Sequence, residues 1–131
     1  MLVHMEKNKV LYVEDEAFFA SVIAKKLEED GFEVDTASDG AKGWEAAQTT
    51  MYDLILLDLI LPELGGFEVL EKIKNDPKLS DIPVVILSNL SSENDKKKAQ
   101  ELGAHSFHVK INSMPNEILA LVRRILGKKS A

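Results

Sequence analysis

The sequence predicts an α/β fold, a doubly wound parallel sheet of five strands with five helices. Three short apolar runs, residues 10–13, 54–57 and 84–87, are each bounded by polar or turn residues, which is typical of strands buried on both faces. Segments with apolar residues at helical spacing alternate with the strands along the chain. Such an alternation indicates a parallel sheet with helices on both faces.

Two further strands are predicted at residues 32–36 and 106–109, where apolar and polar side chains are mixed as in edge strands. The first predicted amphipathic helix contains Phe19, Ile23 and Leu27 and ends at Gly31. The second spans residues 40–50 with Trp44 as a packing anchor, and the third contains Phe67, Leu70 and Ile73 and ends near Asp76. The fourth is capped by Ser91 or Ser92 and closed by Gly103, and the fifth spans residues 116–126.

The predicted strand order is 2-1-3-4-5, the flavodoxin-like order. It places the three apolar strands in the centre of the sheet and the two mixed strands at its edges. The first and third strands are then neighbours. Side chains that follow these two strands are expected in one crevice at the carboxyl edge of the sheet, where ligands of open α/β sheets bind.

The composition predicts one cytoplasmic, soluble domain over residues 9–127, with tails at 1–8 and 128–131. The first four residues, before Met5, resemble an expression scar. There is no cysteine, so disulfides and thiolate metal sites are excluded. No apolar run approaches the roughly 20 residues that span a bilayer. The net charge of -6 argues against nucleic acid as a direct partner.

Polar side chains follow each central strand of the predicted sheet. Glu14 and Asp15 follow the first strand, Asp58 the third, and Ser88 the fourth, while Lys110 follows the edge strand 106–109. Crowded carboxylates repel one another, and a hard divalent cation such as Mg²⁺ relieves that repulsion. An ammonium and a hydroxyl beside the metal suit a phosphoryl group. Asp58 is therefore predicted to be a nucleophile that forms an aspartyl phosphate.

The sequence resembles the CheY-like receiver domain of bacterial response regulators from about residue 9 to residue 126. The matching residues are Glu14, Asp15, Asp58, Pro62, Gly65, Gly66, Ser88 and Lys110. The resemblance implies that a sensor histidine kinase or a histidine phosphotransfer protein phosphorylates Asp58. It also implies Mg²⁺ ligands at Glu14, Asp15, Asp58 and the backbone carbonyl of Leu59, phosphoryl contacts from Ser88 and Lys110, and a switch pair formed by Ser88 and Phe107.

The resemblance further implies an output face formed by the fourth helix, fifth strand and fifth helix, roughly residues 92–126. This face would control a downstream protein or a missing output domain. The chain is expected to be a monomer with phosphorylation-dependent dimerisation as an option. It is expected to catalyse only its own phosphorylation and dephosphorylation, without being an enzyme in other respects.

The sequence departs from the family pattern at two positions and carries apolar residues at two others where the family varies. Ile111 replaces the Pro that usually follows the active-site Lys, and Asn89 replaces a small residue after Ser88. Ile60 and Leu90 are apolar where the family varies, which predicts slow loss of the phosphoryl group because an attacking water is poorly held.

Several alternatives stay open at the level of sequence. Asp58 and Ser88 are common turn-capping residues, and Lys110 could be an ordinary surface lysine. Glu16 is expected to serve only the helix that follows it. The chain could be a phosphohydrolase, a phosphate-independent interaction domain with a receiver-like fold, or part of a longer regulator with a DNA-binding or enzymatic output domain.

Overall fold

A computed structural model describes residues 8–127 of the chain. The strands are β1 Lys9–Val13, β2 Glu33–Ala37, β3 Leu54–Leu57, β4 Val84–Ser88 and β5 Ser106–Val109. The helices are α1 Ala17–Glu29, α2 Gly40–Thr49, α3 Gly66–Asn75, α4 Glu93–Glu101 and α5 Pro115–Leu126, with a 3₁₀ turn at Lys110–Asn112. Of the predicted tails 1–8 and 128–131, all residues except Asn8 lie outside the described residues.

The five strands form one parallel sheet in the order β2-β1-β3-β4-β5, which confirms the predicted topology. β3 and β4 are buried along their whole length, because their side chains are apolar on both faces. The edge strands β2 and β5 are more exposed and have mixed polarity. The strands with mainly apolar residues are thus the buried ones, and the strands with mixed polarity are the more exposed ones.

The sheet separates two hydrophobic cores. One core packs Leu11, Ile55 and other side chains of one sheet face against α2, α3 and α4, and the second packs Val10, Leu54 and the opposite face against α1 and α5. Trp44 is half-buried against the first core, as predicted, and the Lys72 ammonium lies 5.8 Å from its ring centroid. Within residues 8–127, none of the helices has the length and apolar character needed to cross a membrane.

The helix termini follow local sequence signals. Ser92 caps α4 by accepting a hydrogen bond from the Asp95 N–H, which decides between the two serines considered from sequence. α5 begins at Pro115, one residue before the predicted start, because proline at the first helical position lacks only an N–H that would be unpaired there.

Candidate functional site

Three carboxylates meet at the carboxyl edge of the sheet. β1 and β3 pair with Val13 opposite Leu57, so the residues that follow both strands leave the sheet side by side. One carboxylate oxygen from each of Glu14, Asp15 and Asp58 lies within 4.8 Å of the others. Glu14 and Asp58 are buried, whereas Asp15 is exposed. The structure therefore brings together the acidic residues that the sequence placed at this crevice.

Lys110 is buried among these acids. Its side chain is 4% exposed, and its Nζ lies 2.8 Å from Asp58 Oδ2, 2.9 Å from Glu14 Oε1 and 3.0 Å from Glu16 Oε1. The ring centroid of Phe19 lies 5.2 Å from the same nitrogen. These contacts exclude the alternative that Lys110 is an ordinary surface lysine.

Glu16 was expected to serve only helix α1, and this expectation was wrong. Glu16 precedes α1, yet its side chain makes no capping hydrogen bond there. Its carboxylate instead accepts a hydrogen bond from Lys110 at 3.0 Å. The buried ammonium attracts this exposed carboxylate more strongly than the N-terminus of α1 does, because it carries a full charge.

The charges of the cluster shift one another's pKa values. Burial alone would lower the pKa of Lys110, but its hydrogen bonds to Asp58, Glu14 and Glu16 outweigh burial and raise that pKa. Burial raises the pKa of Glu14, and the hydrogen bond from Lys110 opposes this shift without cancelling it. Lys110 is therefore a permanent cation, whereas burial makes the Glu14 carboxylate costly to keep charged.

Tyr12 belongs to this site, although sequence reasoning placed it only in a buried strand. Its hydroxyl donates a hydrogen bond to Glu14 Oε1 at 2.9 Å. Burial and the neighbouring Glu14 raise the pKa of Tyr12, so the hydroxyl keeps its proton and stays a donor. Residues two apart in a strand share a face, and that period is the signal that could have identified Tyr12.

The loop after β3 holds Asp58 through backbone contacts. The Asp58 N–H donates to the Val13 carbonyl at 3.1 Å, and Asp58 Oδ1 accepts from the Ile60 N–H at 3.1 Å. Gly66 lies so close that an added Cβ would be 2.2 Å from the Asp58 carbonyl oxygen. The Gly66 N–H also donates to the Leu59 carbonyl at 3.1 Å, so one lone pair of that predicted metal ligand is already used.

Ser88 and Phe107 belong to β4 and β5, which lie on the opposite side of β3 from β1 and its acidic residues. Ser88 is fully buried at the end of β4, and its Oγ accepts a 3.4 Å hydrogen bond from the Leu90 N–H. Phe107 pairs with Ile86 in the sheet and is half-buried against the core that contacts α2, α3 and α4. Because Ser88 pairs with Val109, the ends of β4 and β5 lie side by side next to Lys110.

The acidic group suits a divalent cation on chemical grounds. Glu14, Asp15 and Asp58 form the group of possible metal ligands found among residues 8–127, and all its side-chain donors are oxygens. Oxygen donors favour Mg²⁺ over zinc, which prefers histidine and cysteine. One exposed and two buried carboxylates leave a solvent-facing side where further ligands of the ion can enter.

Comparisons with known proteins agree with this architecture. A family model described as the response regulator receiver domain matches residues 10–123. The chain is 37% identical to the transcriptional regulatory protein CusR of Escherichia coli over 123 residues, 94% of this chain and 53% of CusR. The chain spans about half the length of the curated relatives it matches.

Solved structures show the same fold. The chemotaxis protein CheY4 of Vibrio cholerae superposes with a TM-score of 0.85 at 28% identity, covering 92% of this chain and 99% of CheY4. The receiver domain of sensor histidine kinase PA1611 from Pseudomonas aeruginosa, solved with a magnesium ion coordinated in its active site cleft, has a TM-score of 0.83 at 24% identity and covers 93% and 99% of the two chains. With its strand order, its acidic crevice and its family match, the chain belongs to the response regulator receiver domain family.

Proposed function

We propose that Asp58 accepts a phosphoryl group from a sensor histidine kinase or a histidine phosphotransfer protein in the presence of Mg²⁺. The observation that carries this proposal is the buried pair of Asp58 and Lys110, 2.8 Å apart, beside two further carboxylates. A capping Asp needs neither a buried ammonium nor neighbouring acids. A nucleophile that receives an anionic phosphoryl group is helped by both a neighbouring cation and a metal ion, which neutralise the charge on the phosphoryl oxygens.

In the proposed step, one carboxylate oxygen of Asp58 attacks the phosphorus atom of the donor. The new P–O bond forms as the P–N bond of the donor phosphohistidine breaks, and the electron pair of that bond returns to the imidazole nitrogen. Bound Mg²⁺ would neutralise charge on the phosphoryl oxygens, held by Glu14, Asp15, Asp58 and, as predicted from the family, the Leu59 carbonyl. Lys110 supplies a second, permanent positive charge.

The proposed change in partner binding depends on Ser88 in β4 and Phe107 in β5. Ser88 lies at the end of β4, and its hydroxyl would hydrogen-bond a phosphoryl oxygen. Phe107, half-buried on β5, would then change its packing and alter the face formed by α4, β5 and α5. That face would control a downstream protein or an output domain, in a chain whose own chemistry is limited to gaining and losing this one phosphoryl group.

The curated relatives favour the output domain of a longer regulator as the partner. Several of them are named as transcriptional regulators, and this chain covers about half of each. The chain carries a net charge of -6, which is unfavourable for binding a phosphate backbone. Any DNA contact would therefore lie outside these residues.

Incubation with acetyl phosphate and Mg²⁺, followed by intact mass measurement, tests the proposal. The parent chain is expected to gain one phosphoryl group, and Asp58→Asn is expected to gain none. Asp81→Asn, at an exposed position in the α3–β4 loop, is the matched control and is expected to be phosphorylated like the parent. Chelation of Mg²⁺ should prevent the gain. No gain in the parent would favour a phosphate-independent interaction domain, and steady hydrolysis of a small phosphate ester would favour a phosphohydrolase.

A further inference from the structure

The two positions at which the loops around Ser88 and Lys110 depart from the family pattern contact each other. Asn89 follows Ser88, and Ile111 follows Lys110. The Asn89 Oδ1 atom accepts a hydrogen bond from the Ile111 backbone N–H at 2.9 Å. We propose that Asn89 is a positioning residue, which holds the Lys110 ammonium in place for phosphoryl transfer by fixing the N–H of the next residue. This inference rests on the proposed function of Asp58.

The hydrogen bond between Asn89 and Ile111 lies just beyond the end of the sheet. The pairing of β4 with β5 ends at Ser88 opposite Val109, and the backbone then enters the 3₁₀ turn that begins at Lys110. Two hydrogen bonds within this loop, from the Ser113 N–H to the Lys110 carbonyl at 3.1 Å and from Ser113 Oγ to the Val109 carbonyl at 2.8 Å, hold its own shape. The Asn89 bond instead connects the loop to the end of β4.

Beyond the buried Lys110, packing contributes little to the position of this loop. The Ile111 side chain is 78% exposed, so its backbone is not held by a buried side chain. A proline at 111, as in the usual family pattern, would remove the N–H and would also disfavour the helical conformation of Lys110. The hydrogen bond therefore requires both an acceptor side chain at position 89 and a residue other than proline at position 111.

Amide hydrogen exchange at residue 111 tests the contact without any phosphorylation. We expect the Ile111 amide to be protected in the parent chain, and Asn89→Ala to speed its exchange about 3- to 10-fold, as the loss of one hydrogen bond predicts. Asn89→Asp keeps an oxygen acceptor and should retain protection. Ile111→Ala keeps the N–H and is the control for the exposed side chain. Equal exchange in the parent and in Asn89→Ala would overturn the contact.

Phosphorylation by acetyl phosphate tests the positioning role. At saturating Mg²⁺, Asn89→Ala is expected to lower the phosphorylation rate constant about 3- to 10-fold, the same factor as for the hydrogen bond. Exchange of the Gly66 amide should not change, because that N–H donates to the Leu59 carbonyl in the loop after β3, away from Asn89. General loosening of the domain would speed the Gly66 exchange as well and overturn the role.

The two proposals fail in different ways. A parent chain that gains no phosphoryl group overturns the positioning role together with the proposed function, and the exchange measurement then still reports on the contact alone. A parent chain that is phosphorylated no faster than Asn89→Ala overturns the positioning role and leaves the function of Asp58 intact.

Discussion

The loop that follows β3 and the loop that follows β5 hold opposite charges in place by different means. The first loop is confined by backbone: an added Cβ at Gly66 would lie 2.2 Å from the Asp58 carbonyl oxygen, and one at Gly40 would lie 1.6 Å from the Leu64 carbonyl oxygen. The second loop follows a half-buried edge strand and exposes Ile111 and Met114. Packing therefore positions the acid, whereas ion pairs and a few side-chain hydrogen bonds position the lysine.

Replacing the buried ammonium should have the largest effect. Lys110→Met leaves Glu14 and Asp58 buried without a cation, and we expect the free energy of unfolding to fall by about 3–5 kcal/mol in urea titrations without Mg²⁺. Lys9→Met is the control, because Lys9 pairs with Glu33 at 3.6 Å on the surface and should cost at most about 1 kcal/mol. Equal losses in the two variants would show that the ion pairs of Lys110 contribute no more than a surface pair.

The pH dependence of Lys110→Met sharpens this test. Burial raises the pKa of Glu14 in the folded chain, and loss of the Lys110 hydrogen bond should raise it further. The folded variant then binds a proton at a pH where the unfolded chain has released it. Its stability relative to the parent should therefore recover as the pH falls through the folded pKa of Glu14. A deficit that stays constant with pH would contradict this account.

Crowding the rigid loop should have the next largest effect. Gly66→Ala places a methyl group against backbone, so we expect a loss of about 1–3 kcal/mol in the free energy of unfolding. Gly65→Ala is the matched control, since its nearest neighbour is the flexible end of Glu68 at 3.8 Å and it should change stability little. If both variants are equally stable, backbone proximity does not confine this loop.

The stability of the chain should depend on pH through His108 in edge strand β5. Burial, and then the charges of Arg124 and His105, lower the pKa of His108 below its ordinary value of 6.5. The fold thus favours neutral His108, so its contribution is fully present above pH 6.5 and declines as the pH falls from there toward the folded pKa. We expect His108→Gln to flatten the pH dependence of urea unfolding as the pH falls below 6.5. A parallel profile would contradict this.

The smallest expected effect concerns the lifetime of the proposed phosphoryl group. Ile60 is 55% exposed beside Asp58, and an apolar side chain there holds an attacking water poorly. Ile60→Asn should therefore shorten the half-life of the phosphorylated chain severalfold, measured by intact mass after removal of the donor. Met51→Asn, at an exposed position before β3, is the control. A longer half-life in Ile60→Asn would contradict the prediction.

Strand order was predictable because it follows from polarity. Runs such as residues 54–57 have no polar face, and only central positions of a parallel sheet accommodate them. That topology also placed Glu14 and Asp58 together, since parallel strands end at one edge. Element termini were harder to predict, because Pro115 starts α5 where helical periodicity alone indicated a start at 116.

The contacts within the site were less predictable, because they depend on where flexible side chains turn. Nothing in the sequence showed that Glu16 would turn toward Lys110 instead of the N-terminus of α1. The contact between Asn89 and Ile111 joins residues 22 positions apart, and each residue alone was a departure without a partner. Their shared explanation required the register of β4 and β5, which brings the two loops together.

Because Asn89 and Ile111 share a hydrogen bond, we expect the effect of a mutation at one position to depend on the residue at the other. A mutation from isoleucine to proline at 111 removes the donor, after which position 89 is free to drift. The reverse mutation restores the donor but regains nothing unless an acceptor has already arisen at 89. If this hydrogen bond positions Lys110 as proposed, the two positions are epistatic, and among descendants of this chain we expect asparagine or aspartate at 89 to occur with a residue other than proline at 111.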